Sequence, residues 1–218
     1  MMIELILKGG LSFLLGSIIG SLVVGRLIGG VDIRTLGSGN PGATNALRTQ
    51  GKKVALAVLL IDLTKGWVAT AVIATWVVPA GIAAATAPLA AWSASVCGIA
   101  VMLGHVYPLW YGFRGGKGVA TLLGAVLGIN AWLLLPMVLA WLTVVIAFGY
   151  VGLASILGAV ALAVAVALTH GGTPLLVFGI LSVLLILYTH RANLARMRAG
   201  TEPRARRLWL FGTRRRHA

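Results

Sequence analysis

Lys117 sits in the run Gly112-Phe113-Arg114-Gly115-Gly116-Lys117-Gly118, where glycines bracket two cations. Backbone N–H groups at Gly115, Gly116 and Gly118 are expected to be open to a ligand, and Lys117 adds a full charge. At the start of a helix this is the chemistry of a phosphate or oxyanion cradle. It is not a Walker A loop, because no Ser or Thr follows the lysine at the required spacing. Arg114 serves equally well as a charge that fixes membrane orientation. The run is preceded by Gly104-His105-Val106-Tyr107-Pro108.

A second block reads Gly37-Ser38-Gly39-Asn40-Pro41-Gly42-Ala43-Thr44-Asn45-Ala46-Leu47-Arg48. Its opening matches G-x-G-x-x-G, and Asp62 stands 20 residues after Gly42. The dinucleotide fingerprint also needs a preceding strand, whereas an apolar helix comes first here. What survives is a set of donors: Ser38, Asn40, Thr44, Asn45, the backbone of Gly39 and the bidentate guanidinium of Arg48. In a third block, His190-Arg191-Ala192-Asn193, the positions i and i+3 put His190 and Asn193 on one helix face. Alone, that pair reads as interfacial solvation. Asp62 and Lys65 are also at i and i+3, inside an apolar run, where ionisable groups pair with one another. The expectation is a salt bridge that stiffens the helix under the site and orients Arg48 or Lys117 indirectly. His105 and His190 lack neighbouring carboxylates or thiols, and the chain has only 4 acids and 1 cysteine, so neither a metal nor another cofactor is expected.

The elements that must position these residues are apolar. Of 218 residues, 59% are hydrophobic and 10% charged, against about 25% charged in a soluble domain. Soluble globular and disordered classes are both excluded. The net charge of +14 accompanies a membrane chain, so lipid and anionic small molecules are the expected partners, with no nucleic acid. Glu4 interrupts the n-region, and no A-x-A site follows the first apolar run, so no cleavable signal is expected.

A span needs roughly 17–25 apolar residues. Candidates are 11–28, 54–78, 83–103, 119–150, 152–168 and 173–189. Five basic residues surround the first connection (Arg26, Arg34, Arg48, Lys52, Lys53), two lie in the second, and nine arginines follow Tyr188. The segments 79–82 and 170–172 carry no Lys or Arg. Keeping every basic segment in the cytoplasm requires 119–150 to cross twice, with a turn near Asn130 and Ala131. The expected fold is an all-α polytopic bundle of seven transmembrane helices, N-terminus outside and C-terminus cytoplasmic. Trp76, Trp92 and Trp132 then form an outer aromatic belt, and Tyr107, Trp110, Tyr111, Tyr150 and Tyr188 an inner one. Gly16-x-x-x-Gly20 and Gly124-x-x-x-Gly128 are expected to let helices approach closely. Residues 1–190 form the expected transmembrane domain, with cytoplasmic loops at 30–53, 104–118 and 190–202. Residues 203–218 are expected as a solvated basic tail on anionic lipid.

Taken in order, these blocks resemble the bacterial acyl-phosphate:glycerol-3-phosphate 1-acyltransferases, the PlsY family. The resemblance rests on G-S-G-N-P-G-A-T-N at 37–45 with Arg48, and on D-x-x-K-G at 62–66. It extends to G-H-x-x-P at 104–108 with G-F-R-G-G-K-G-V-A-T at 112–121, and to H-R-x-N at 190–193 with G-T-E at 200–202. Ala192 stands where many members carry Glu, and 148–155 lacks the Arg and the first Ser often found there, so Ser155 is the position carried over. The tail beyond Pro203 lies outside the resemblance.

The resemblance implies acyl transfer from acyl phosphate to the 1-hydroxyl of glycerol 3-phosphate at the cytoplasmic face of the bacterial inner membrane, giving lysophosphatidic acid and phosphate. Ser38, Arg48, Lys117, His190 and Asn193 would then be catalytic. Gly39, Asn40, Thr44, Asn45, Arg114, Gly115, Gly116, Gly118 and Ser155 would bind phosphate, with Asp62, Lys65 and His105 in support. Acyl phosphate is a mixed anhydride with a good leaving group, so neither metal nor acyl-enzyme is obligatory. No H-x-x-x-x-D motif occurs, and the acids are too few to suggest a carboxylate base. The expected base is a phosphate oxygen of the acyl donor, with His190 as runner-up. An anion or phosphate transporter using the same cationic loops is the alternative. Oligomeric state is not encoded legibly.

Overall fold

The computed structural model describes residues 2–77, 87–206 and 208–210. The connection at 79–82, the first residues of the span expected at 83–103 and the end of the tail lie outside them. The described chain is all-α: α1 (Ile3–Gly16), α2 (Gly20–Leu27), α3 (Ala43–Thr49), α4 (Lys52–Trp67), α5 (Ala87–Ala90), α6 (Ser93–Val106), α7 (Val119–Ile129), α8 (Leu134–Phe148), α9 (Val151–Leu168), α10 (Thr173–Thr189) and α11 (Arg191–Arg198).

The first span departs from the expected 11–28. It starts at Ile3, and α1 and α2 meet at a bend of 42°. Ile19 there is extended, so α1 ends with open carbonyls and α2 begins with open N–H groups. Lipid offers no partner for such groups. The pair from α4 does. Lys65 Nζ donates to the carbonyls of Gly16 (3.0 Å) and Ile18 (2.7 Å), while Asp62 Oδ1 accepts from Gly20 N (3.2 Å). Asp62 and Lys65 lie 2.9 Å apart, both almost fully buried. The expected salt bridge therefore exists, and its further work is to close a broken helix.

Gly16 and Gly20 fall on opposite sides of this break and serve different neighbours. A Cβ on Gly16 would enter the Val101 carbonyl of α6, and one on Gly20 would lie 2.9 Å from the Val58 carbonyl of α4. Gly124 approaches the Leu63 carbonyl in the same way, bringing α7 against α4. Beyond Trp67, α4 widens into a π-turn (Val68–Ile73), where Thr70 Oγ1 donates to the Ala125 carbonyl at 2.9 Å.

The stretch 119–150 is divided at Asn130. The extended Asn130 accepts from Trp132 N (3.0 Å) and caps a 3-10 turn, Ala131–Leu133, that leads into α8. Helices α8 and α9 are joined through Gly149 at φ 76°, and α10 starts behind Gly172 (φ 81°) with Pro174 in its first turn.

Among the described residues, four helical segments are long and apolar enough to cross a membrane: Lys52–Ile73, Ser93–Tyr111, Ala131–Phe148 and Val151–Leu168. Two bent pairs, α1 with α2 and α10 with α11, raise the number to as many as six. At about 1.5 Å per residue, the 11 residues of α7 are shorter than a full span. Leu56, Leu60, Leu135, Leu139, Ile146 and Leu184 point outward and exposed, as a lipid-facing surface requires. Phe178, Met102, Leu122, Leu162 and Ile186 fill the interior. The fold is an all-α polytopic membrane bundle.

Candidate active site

The polar blocks converge on one cavity of about 730 Å³. Its first wall is the loop before α3. Asn45, 2% exposed, uses its amide to fold that loop: Nδ2 donates to the carbonyls of Leu36 (2.9 Å) and Ile33 (3.3 Å), and Oδ1 accepts from Ser38 N (3.0 Å). This leaves Ser38, Asn40, Thr44 and Arg48 along the cavity. Arg48 has no salt-bridge or hydrogen-bond partner among the described residues, so its guanidinium is available to an anion. Gly39 lies outside the lining. Arg34, paired with Asp32 at 2.8 Å, reaches the Tyr111 carbonyl (3.1 Å) and ties this loop to the next.

The second wall corrects the reading of its glycines. Gly115 N donates to the Val106 carbonyl and Gly116 N to the His105 carbonyl, both at 3.1 Å. A Cβ on Gly115 would enter the His105 carbonyl, and one on Gly116 would enter the His105 ring. These glycines let the chain return against the end of α6, and their N–H groups are already used. Neither lines the cavity, and exposed Arg114 does not either. The return delivers Lys117, followed by Gly118 (φ 85°) and the first residues of α7, to the lining. His105 stands behind them, with Nδ1 2.8 Å from Lys65 Nζ and 3.5 Å from Asp62 Oδ1. His105 and Asp62 touch the cavity, while Lys65 does not.

The third wall is the bend of 53° between α10 and α11. His190 closes α10 and Asn193 lies in the first turn of α11, and both line the cavity. His190 Nδ1 lies 2.8 Å from the Ile186 carbonyl. A carbonyl only accepts, so the ring proton is on Nδ1 and Nε2 keeps its lone pair. Asn193 Oδ1 accepts from Lys117 Nζ. Asn193 Nδ2 donates to Glu202 Oε1 (2.6 Å), and Arg196 Nε donates to Glu202 Oε2 (2.7 Å). Ser155 completes the lining from α9, its hydroxyl donating to the Val151 carbonyl at 2.9 Å.

Arg196 and Glu202 are the charged lining residues absent from the sequence-derived set. The G-T-E match at 200–202 is the signal that pointed to Glu202. Two carboxylates, Asp62 and Glu202, border the cavity. Each is already engaged by cations, which keeps it from acting as a free base. Burial lowers Lys117 to about 8, with Arg196 and Arg48 in the same direction and Glu202 opposing them. Burial, followed by the charge of Lys117, lowers His190 to about 4. At neutral pH the cavity therefore holds cationic Lys117, Arg48 and Arg196 beside a neutral imidazole. Its far side is apolar, formed by Leu59, Val119, Leu123, Trp141 and Val151.

The family model for glycerol-3-phosphate acyltransferase matches residues 6–200. The chain belongs to that family. A glycerol-3-phosphate acyltransferase of Sinorhizobium medicae (strain WSM419) is 41% identical over 192 residues, covering 88% of each chain. One from Bordetella pertussis (strain Tohama I) is 41% identical over 201 residues, covering 89% of this chain and 88% of the relative. Crystal structures of PlsY (YgiH), an integral membrane glycerol 3-phosphate acyltransferase, superpose on the fold at 34% sequence identity. The glycerol 3-phosphate form gives a TM-score of 0.81 and the lysophosphatidic acid form 0.79, each covering 92% of this chain and 94% of that one. The acyltransferase is thus of the PlsY type, and the transporter alternative falls.

Proposed function

We propose that this acyltransferase moves a fatty acyl group from acyl phosphate to the 1-hydroxyl of glycerol 3-phosphate in the bacterial inner membrane, releasing lysophosphatidic acid and phosphate. One observation carries this reading. A single cavity joins cationic Lys117, Arg48 and Arg196 to an apolar wall of Leu59, Leu123 and Trp141. An acyl phosphate has that same division between dianionic head and hydrocarbon tail.

Lys117 and Arg48 hold phosphate, Arg196 extends the cationic wall, and Ser38 and Asn193 hydrogen-bond substrate oxygens. The hydroxyl oxygen of glycerol 3-phosphate attacks the acyl carbon, forming the ester C–O bond. The bond from that carbon to the bridging phosphate oxygen breaks, and its electron pair leaves with phosphate. A phosphate oxygen of the donor takes the hydroxyl proton, so the departing group carries it away. The donor carbonyl is already activated, and the protein contributes positioning and charge neutralisation. Neutral His190, lowered to about 4, is a weak base with its Nε2 lone pair available, which suits an acceptor of a substrate hydroxyl better than a proton abstractor.

The same reading places the cavity at the cytoplasmic face. In it, the four long segments, the two bent pairs and the short α7 make seven crossings, with the N-terminus outside. The test is release of inorganic phosphate by detergent-solubilised protein given acyl phosphate and glycerol 3-phosphate. Turnover is expected, and Lys117→Ala should remove nearly all of it in a folded protein. Near-normal turnover of that variant sinks the assignment.

A further inference from the structure

The tail after Pro203 is not free. Among the described residues, 204–206 and 208–210 fold back over the end of α8. Ala205 N donates to the Gly149 carbonyl (2.8 Å), Leu210 N to Ile146 (3.0 Å) and Trp209 Nε1 to Ala147 (3.1 Å). These carbonyls belong to the last turn of α8 and its cap, and have no partner within their own helix. The Arg204 guanidinium lies 4.1 Å from the Trp209 ring and 4.6 Å from the Tyr150 ring, a cation held between two aromatic faces. Gly149 makes room for this contact, since a Cβ there would lie 3.1 Å from Trp209 and 3.2 Å from Arg204.

The start of this strap and the segment it grips both adjoin the cavity. Immediately before it, Thr201, Glu202 and Pro203 line the wall, and Glu202 holds Asn193 and Arg196. Immediately after the α8 cap, Val151 and Gly152 also line the cavity, with no room for a Cβ between Gly152 and Asn193. The family match ends at residue 200, so the strap is a feature of this chain beyond the matched region.

We propose that Arg204 and Trp209 are positioning residues that hold Glu202 against Asn193 and Lys117 by anchoring the tail to the end of α8. The proposal rests on the acyltransferase reading above. Loss of the anchor frees Glu202 to withdraw, which loosens Asn193 and removes the negative charge of Glu202 from beside Lys117. Arg196, Arg48 and neutral His190 then face Lys117 without it, and the ammonium loses its proton more readily.

The test uses the full chain in detergent, comparing wild type with Trp209→Ala and Arg204→Ala. Wild type must release phosphate; if it does not, the substrate reading has failed and not the strap. With active wild type, both variants are expected to raise KM for glycerol 3-phosphate by roughly ten- to a hundredfold, the scale of a small misplacement at a site. The alkaline fall of kcat/KM should also move to lower pH. Trp209→Phe, which keeps a ring beneath Arg204, should recover most of the loss. Unchanged KM and an unchanged alkaline limb overturn the proposal, as does a fall in active enzyme alone, which is a folding effect. If the variants do not fold, wild type decides. Saturating glycerol 3-phosphate should slow tryptic cleavage after Arg204 and Arg206, and an unaltered rate overturns the proposal.

Discussion

At the scale of single residues, the proposed site depends on Lys117 being charged. Burial lowers it to about 8, so the ammonium is present at pH 7 and lost as pH rises through that value. Affinity for phosphate-bearing substrates should therefore fall above pH 8, seen as a rising KM for glycerol 3-phosphate between pH 7 and 9.5. An unperturbed lysine, near 10.4, would hold KM flat over that range. His190 is neutral from about pH 5 upward, since its lowered value is about 4. If a donor phosphate oxygen is the base, His190→Ala should weaken binding while leaving a measurable kcat. Complete loss of turnover with intact binding of both substrates would make His190 the base. Lys117, Arg48 and His190 were legible as candidates because ionisable residues stand out in an apolar chain. That Asn45 is spent on folding its own loop was not, because an amide in a loop looks the same whether it faces ligand or backbone.

At the scale of elements, the broken first span depends on α4. If Asp62 and Lys65 merely neutralise each other, replacing both by apolar residues restores stability, as for other buried pairs. Here Lys65 also bonds two carbonyls and Asp62 an N–H at the break, so Asp62→Leu with Lys65→Met should not recover. Asp62→Asn alone should cost about 3–5 kcal/mol, read as a lowered thermal midpoint in detergent. Recovery in the double variant would show that the break needs no partner. Gly115→Ala tests the second loop. Its Cβ would meet the His105 backbone, which cannot rotate away, so Lys117 shifts and activity should drop at least about tenfold. Wild-type activity in that variant would return Gly115 to a mere linker. The turn at Asn130 was readable because charge parity demanded it. The bend at 17–19 was not, because no Pro or polar run marks it and its partners lie on another helix.

At the scale of the whole molecule, a chain of net charge +14 brings Arg48, Lys117 and Arg196 from three separate segments to one cavity. The proposed orientation opens that cavity to the cytoplasm. Trypsin should then cut the arginine-rich tail in inverted membrane vesicles and leave it intact in right-side-out spheroplasts. The opposite pattern would invert the topology. The tail had been expected as a solvated anchor, but through Leu210 it is docked on α8. Sequence alone could not reveal this, since Trp209 and Arg204 gain meaning only from the open carbonyls and the glycine they meet.

Hydropathy and charge placement by themselves determined a polytopic all-α membrane protein with three cationic blocks at one face. The order of those blocks was enough to point to the family. Both properties are local: span length and glycine-flanked cations are written in consecutive residues. Only the tertiary structure decided which donors remain for substrate. Whether a glycine N–H, an asparagine amide or a glutamate is free depends on the carbonyl or cation that another segment brings to it. Those segments lie 9 residues away for Asn193 and Glu202, and 76 away for Lys117 and Asn193.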